Sequence, residues 1–210
     1  MIVIVDYGMG NLRSAQKGFE KAGHAAVISD DPADVAAADA VVLPGVGAFK
    51  DCYDGLVSRG LDQPVIEAAQ SGRPFLGICV GLQLLFDESE EGEGSRGLGI
   101  LAGRVVRFPD AKQTGLKVPH MGWNRIVPAN GTPCALLKNT SPDPYVYFVH
   151  SYHAQPEDPK VVLATAEYGY KFAAMVGRDN IFAVQFHPEK SQRDGLEILK
   201  AFGDLVEGKS

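Results

Sequence analysis

Uninterrupted apolar runs and short polar breaks alternate through the first half of the chain. Ile2-Val3-Ile4-Val5, Val41-Val42-Leu43 and Phe75-Leu76-Gly77-Ile78 contain no polar side chain. Continuous runs of this kind suit strands covered on both faces, whereas a half-exposed strand would alternate. Strands are therefore expected at 1–5, 25–28, 40–43 and Pro74–Ile78, and helices at 11–22, 61–71 and from about Val80 to Glu88. The second half is richer in strand patterns, at 99–108, 117–127, 146–150, 161–167, 171–176 and 181–186, before a last helix over about 192–207. Strand and helix in alternation predict an α/β fold with a parallel sheet. The later strands add a mixed or antiparallel extension, and the order of strands is not encoded in the pattern.

Ligands bind such sheets beyond the carboxyl ends of the strands. Three segments follow strands directly: Pro44-Gly45-Val46-Gly47, Gly77-Ile78-Cys79-Val80-Gly81 and His187-Pro188-Glu189. The second has the G-x-nucleophile-x-G form of a nucleophile elbow, with cysteine as the nucleophile. A sharp strand-to-helix turn aims that side chain away from the backbone, glycines on either side relieve crowding, and the helix N-terminus favours a thiolate. By itself the elbow fits a catalytic cysteine and a small buried core residue equally well. A cysteine nucleophile needs a base and an orienting group. His187 and Glu189 leave one strand two residues apart, which in extended chain puts both on one side, so Glu189 can hold His187 in one tautomer. Alone, that tripeptide is better read as a surface histidine beside a solvated glutamate. Gly45-Val46-Gly47 can turn backbone N–H groups toward a ligand, and Gly47 with the N–H of Val80 would form an oxyanion hole; alone it is a plain turn.

Composition narrows the alternatives. The chain has 210 residues, 45% hydrophobic and 22% charged, which is the make-up of one globular domain spanning 1–210. A formal charge of −6 argues against nucleic acid or a membrane surface as main partner. Cys52, Cys79 and Cys134 are too few and too scattered for a disulfide framework, so a cytoplasmic location is expected. The apolar start at Met1 is too short for a signal peptide or a membrane span. Cys52 and Cys134 lack the elbow and read as core. Gly8-Met9-Gly10-Asn11 fails as a dinucleotide fingerprint because Arg13 stands where the third glycine belongs. His120, His150 and His153 are not at metal-ligand spacing with the cysteines. Tyr145 to Val149 reads as a core strand, and His150-Ser151-Tyr152-His153 as too polar for core and a site edge.

Pro-Gly-x-Gly, G-x-C-x-G and a final His-Pro-Glu, in this order, resemble the class I (triad) glutamine amidotransferases over residues 1 to about 202. Asp6-Tyr7-Gly8-Met9-Gly10-Asn11-Leu12, Pro119-His120-Met121-Gly122-Trp123-Asn124 and Val149-His150-Ser151-Tyr152 narrow the resemblance to the glutaminase subunits of imidazole glycerol phosphate synthases. The resemblance implies a flavodoxin-like fold with a mixed, mostly parallel sheet flanked by helices. It implies a Cys79, His187, Glu189 triad that hydrolyses L-glutamine through a thioester. Gln83, Glu91, Ser151, Tyr152 and Gly45 match positions that hold the substrate, and Asn11, Trp123 and Lys190 match positions near a subunit contact. The implied partner is a (β/α)8-barrel cyclase subunit that receives the ammonia; no metal or organic cofactor is implied. Two rival readings share this chemistry: the glutaminase subunit of another amidotransferase, and a stand-alone γ-glutamyl cysteine hydrolase.

Overall fold

A computed structural model describes residues 1–92, 94–110, 115–129 and 134–209. The all-apolar run becomes strand β1 (Ile2–Val5), buried at every position. It pairs in parallel with β2 (Ala26–Ser29) and β3 (Ala40–Gly45). Next along the sheet come β4 (Phe75–Cys79) and, parallel to it, β14 (Ile181–Val184). From there the sheet turns antiparallel through β13 (Lys171–Arg178), β12 (Val162–Glu167) and β9 (Val127–Pro128). The order of the eight strands is β2-β1-β3-β4-β14-β13-β12-β9. Its parallel half has the 2-1-3-4-5 winding of flavodoxin-like sheets, with β14 taking the fifth place. The two strands that carry Cys79 and lead to His187 are therefore direct neighbours, although about a hundred residues separate them.

Helices α1 (Leu12–Lys21) and α6 (Gln192–Val206) pack together, Phe19 and Phe202 meeting at 6.0 Å between ring centroids. A second group contains α2 (Pro32–Ala37), α3 (Phe49–Ser58) and α4 (Asp62–Gln70). The pattern reading missed α2 and α3. The first is short and is held by Asp31, whose carboxylate accepts from Ala33 N at 2.8 Å just before Pro32. The second does carry helical spacing, burying Phe49, Cys52 and Leu56, but starts directly after the glycine-rich turn.

The helix expected to reach Glu88 is a single turn, α5 (Val80–Gln83). Its continuation fails because another segment takes the carbonyls. Leu98 N bonds to Leu84 O, Ile100 N and Leu101 N to Leu85 O, and Gly99 N to Phe86 O, at 2.8 to 3.2 Å. The same crossing delays the strand expected at 99–108 to β7 (Gly103–Arg107). That strand joins β11 (Tyr152–Pro156), β5 (Glu88–Ser89) and β6 (Ser95–Arg96) in a small sheet, while β8 (His120–Arg125) and β10 (Tyr145–His150) form an antiparallel pair. No helix among the described residues is long and apolar enough to cross a membrane.

Candidate active site

Cys79 ends β4 with φ +57 and ψ −111, a conformation that costs free energy for a residue with a side chain. The flanking glycines make the turn possible. A Cβ on Gly81 would overlap the Leu43 carbonyl, and one on Gly77 would sit 2.8 Å from Gly81 O. The elbow is thus real, but the helix behind it is one turn, so the field of a long helix that the sequence suggested is not available to the thiol.

His187 follows β14. Its N–H donates to Tyr147 O at 2.9 Å and its carbonyl accepts from Ser191 Oγ at 2.6 Å, which fixes the imidazole to the sheet on one side and to α6 on the other. Nδ1 lies 2.9 Å from Glu189 Oε1, and both side chains are 2% exposed. The sequence argument placed the pair on an extended strand. Instead, Glu189 reaches back from a 3-10 turn, Pro188–Lys190, that His187 caps. Among the described residues, His187 Nε2 and Glu189 Oε2 are the buried side-chain polar atoms left without a hydrogen bond. An unpaired buried ring nitrogen is costly unless a reacting group completes it. Burial pushes the imidazole down, while the neighbouring Cys79 sulfur and the Glu189 carboxylate more than reverse this and raise it to about 9.

These groups wall a cavity of about 310 Å³. Cys79, His187, Gly47, Val80, Gln83, Glu91, Ser151 and Tyr152 line it, so eight of the sequence-selected residues converge there. Glu91 Oε2 accepts from Phe49 N at 2.9 Å. Gly45 does not line the cavity; it pairs with Cys79 in the sheet register, and a Cβ there would press on Tyr7, Val80 and Gly81. Asn11 lies with Glu189 and Gly45 behind the histidine. Trp123 and Lys190 both contact Tyr147, the indole edge-on at 6.2 Å between centroids and the ammonium 5.9 Å above the ring.

His150, read from the sequence as a site edge, and Val46 of the glycine-rich segment also line the cavity. The sequence missed two further contributors. Tyr7 Oη donates to Pro44 O at 2.5 Å, and Cys52 Sγ donates to Val46 O at 3.4 Å. Burial keeps both protonated, pushing the tyrosine well above its usual range and the Cys52 thiol up to about 11. Cys52 is core by burial, as expected, yet its proton also pins the glycine-rich turn.

The histidines correct the expectation that 150–153 is too polar for core: His150 and His153 are 6% and 5% exposed. They are accommodated because every proton has a place. Burial holds His120 at about 4 and His150 at about 3, so both are neutral. The Tyr152 carbonyl can only accept, so His150 donates to it from Nδ1 at 2.9 Å. His150 Nε2 then accepts from His120 Nδ1 at 2.9 Å, and His120 Nε2 accepts from Asn124 Nδ2 at 3.2 Å. No group of three or more metal-ligating side chains exists among the described residues.

These shifts set a pH dependence for stability. His120 and His150 fold below their ordinary value of 6.5, so the unfolded chain binds more protons and stability falls as pH drops from 6.5 toward 4. His187 folds above that value, so its contribution is complete below 6.5 and is lost as pH rises through about 9. Thermal melts are expected to peak near the shared value, and His187→Gln is expected to flatten the alkaline side while leaving the acid side in place. An unchanged alkaline slope would show that the imidazolium contributes nothing to stability.

The sequence profile of the family described as glutamine amidotransferase class-I matches residues 3–204. A protein of Syntrophotalea carbinolica named imidazole glycerol phosphate synthase subunit HisH is 60% identical, over 98% of this chain and 100% of its own. One of the same name from Geobacter sulfurreducens is 51% identical, over 97% and 98%. Among solved structures, a crystal structure of a glutamine amidotransferase superposes with a TM-score of 0.74 at 18% identity, covering 99% of this chain and 100% of the other. A structure of PurLQS from Thermotoga maritima gives 0.73 at 19%, covering 98% of each. At such identities the structural likeness concerns the fold alone.

Proposed function

The chain belongs to the class I glutamine amidotransferases, and from that premise we propose that Cys79 and His187 hydrolyse L-glutamine in the cavity they line, with Glu189 supporting the histidine from behind. The protein is the glutaminase subunit of imidazole glycerol phosphate synthase, an enzyme of histidine biosynthesis, and works with a cyclase subunit. The observation that carries the catalytic reading is the strained Cys79 facing a cavity whose other wall holds an imidazole bound to Glu189 through Nδ1 and unpaired at Nε2.

The steps follow from the roles these groups can take. Cys79 gives its proton to His187, its sulfur attacks the side-chain amide carbon, and the carbonyl electrons move onto oxygen. N–H groups of Gly47 and Val80 stabilise that oxyanion, each donor being worth ~100-fold or more in rate. His187, held as an imidazolium, gives its proton to the departing nitrogen, so ammonia leaves and a glutamyl thioester remains. The now neutral imidazole takes a proton from water as the water attacks the thioester, returning Cys79 and releasing glutamate. Glu91 and Gln83 offer oxygens for the substrate ammonium, and Ser151 and Tyr152 close the same pocket.

Met121, Trp123 and Tyr145 are 62, 46 and 53% exposed on the β8/β10 pair beside the cavity. An apolar patch there suits a subunit contact, with Trp123, Lys190 and Asn11 at or near it. The cyclase partner is taken to be a (β/α)8 barrel, residues 1–210 to be one domain, and the location to be the cytoplasm. Hydrolysis without an acceptor wastes glutamine, so the free chain is expected to turn over slowly. Partner plus its acceptor substrate should raise the rate at least tenfold, which needs only about 1.4 kcal/mol of coupling. Steady-state glutaminase rates of the chain alone, with partner, and with partner and acceptor test this. Equal rates in all three favour a stand-alone γ-glutamyl hydrolase.

A further inference from the structure

Gln185 is the one strongly polar residue in the apolar strand run that leads to His187, and it is completely buried. A buried amide must place two donors and an acceptor, and its partners here are not structural filler. Its Nε2 lies 3.9 Å from Cys79 Sγ and its Oε1 accepts from Gln83 Nε2 at 3.2 Å. The geometry points to Gln185 as a positioning residue for the glutamine pocket, one that orients the Gln83 amide toward substrate and donates to the nucleophile's sulfur.

The orientation follows from fixed chemistry. Tyr152 O is a backbone carbonyl and accepts only, so the Gln83 atom 3.0 Å from it is the nitrogen. His150 Nδ1 donates to the same carbonyl, so its two lone pairs are both used and it stays in place. The Gln83 nitrogen gives its first proton to Tyr152 O and its second to Gln185. Gln185 must then turn its oxygen toward Gln83, which leaves its own nitrogen for the sulfur. Both Gln83 protons are spent, and Oε1 is what Gln83 can offer to the cavity it lines. A lone acceptor at that wall fits the α-ammonium of an amino-acid substrate and disfavours a carboxylate. Without Gln185 the Gln83 amide has one anchor, and rotation presents N–H and oxygen to the ammonium in turn.

The inference rests on the glutaminase reading above, and the test separates the two. Steady-state glutamine hydrolysis is measured for the complex with wild-type chain, Gln185→Met, Gln185→Glu, Gln83→Met and the double variant Gln83→Met/Gln185→Met. Methionine fills the volume without hydrogen bonds. Gln185→Met is expected to raise KM about tenfold, the effect of a hydrogen bond to a charged group lost or misdirected. Gln185→Glu keeps an oxygen toward Gln83 and is expected to return KM to within about threefold of wild type, a rescue that a role in packing alone would not give. The double variant should have the KM of Gln83→Met alone, because Gln185 acts through Gln83. If Gln185→Met does not fold, Gln185→Asn, which withdraws the amide from Gln83, carries the same expectation. An unchanged KM in Gln185→Met, a KM in Gln185→Glu as high as in Gln185→Met, or additive effects in the double variant overturns the role of Gln185. Absence of glutamine hydrolysis by the wild-type complex overturns the glutaminase reading instead.

Discussion

Cys79→Ala is expected to abolish glutamine-dependent synthesis by the complex, by ~10⁴-fold or more, while synthesis from added ammonium continues at a rate close to wild type. The asymmetry follows from a division of labour. In the proposed mechanism Cys79 serves amide cleavage alone, and the acceptor belongs to the partner. Ammonium supplied from solution bypasses cleavage and needs only the cyclase partner. Removing one sulfur atom from a residue 4% exposed leaves the elbow's glycine packing untouched, so loss of activity should come without loss of fold or of partner binding. Cys134→Ala, with a buried thiol outside the cavity, is the matched control and should keep turnover. Glutamine-dependent synthesis by Cys79→Ala would refute the nucleophile assignment, and parallel loss of the ammonium reaction would place Cys79 in the partner's chemistry as well.

Glu189→Gln should lower glutaminase turnover by ~10²- to 10⁴-fold, less than loss of the nucleophile. Glu189 does not bond to substrate. It holds Nδ1 at 2.9 Å, and its carboxylate is one of the charges that keep His187 protonated. Glutamine in its place preserves shape but removes the charge and can present an N–H to the ring, favouring the wrong tautomer. The sign of the pH effect is fixed. With a group that raises the imidazole removed, the proton needed by the departing nitrogen is lost at lower pH, so the alkaline limb of kcat/KM moves down from about 9. An alkaline limb that stays in place, or a loss as deep as that of Cys79→Ala, would assign Glu189 a different task.

What could be read from the sequence was local. The apolar runs of β1, β3 and β4 are short-range patterns, and Cys79, His187 and Glu189 stood out because each sits in a tight motif at a strand exit. Pairing at long range was not legible. Nothing in Phe75–Cys79 or Ile181–Val184 says that these strands are neighbours, yet that pairing alone brings His187 to Cys79. The same holds for His120 and His150, whose neutral burial depends on a partner 30 residues away. The helix after Cys79 was overextended because Leu84, Leu85 and Phe86 are good helix formers whose carbonyls are claimed by residues 98–101. Gln185 did leave a signal, a single amide inside an apolar strand, and its meaning needed the positions of Gln83 and Tyr152.

During hydrolysis the glutamyl group is expected on the sulfur of Cys79. The complex is mixed with glutamine and acceptor substrate, quenched in acid within one turnover and digested, and the mass of the peptide holding Cys79 is measured. A fraction of that peptide should carry one glutamyl group through a base-labile thioester, with none in Glu189→Gln enzyme quenched before its slower first turnover. A glutamyl group on any other residue, or steady hydrolysis with the Cys79 peptide never modified, would contradict it.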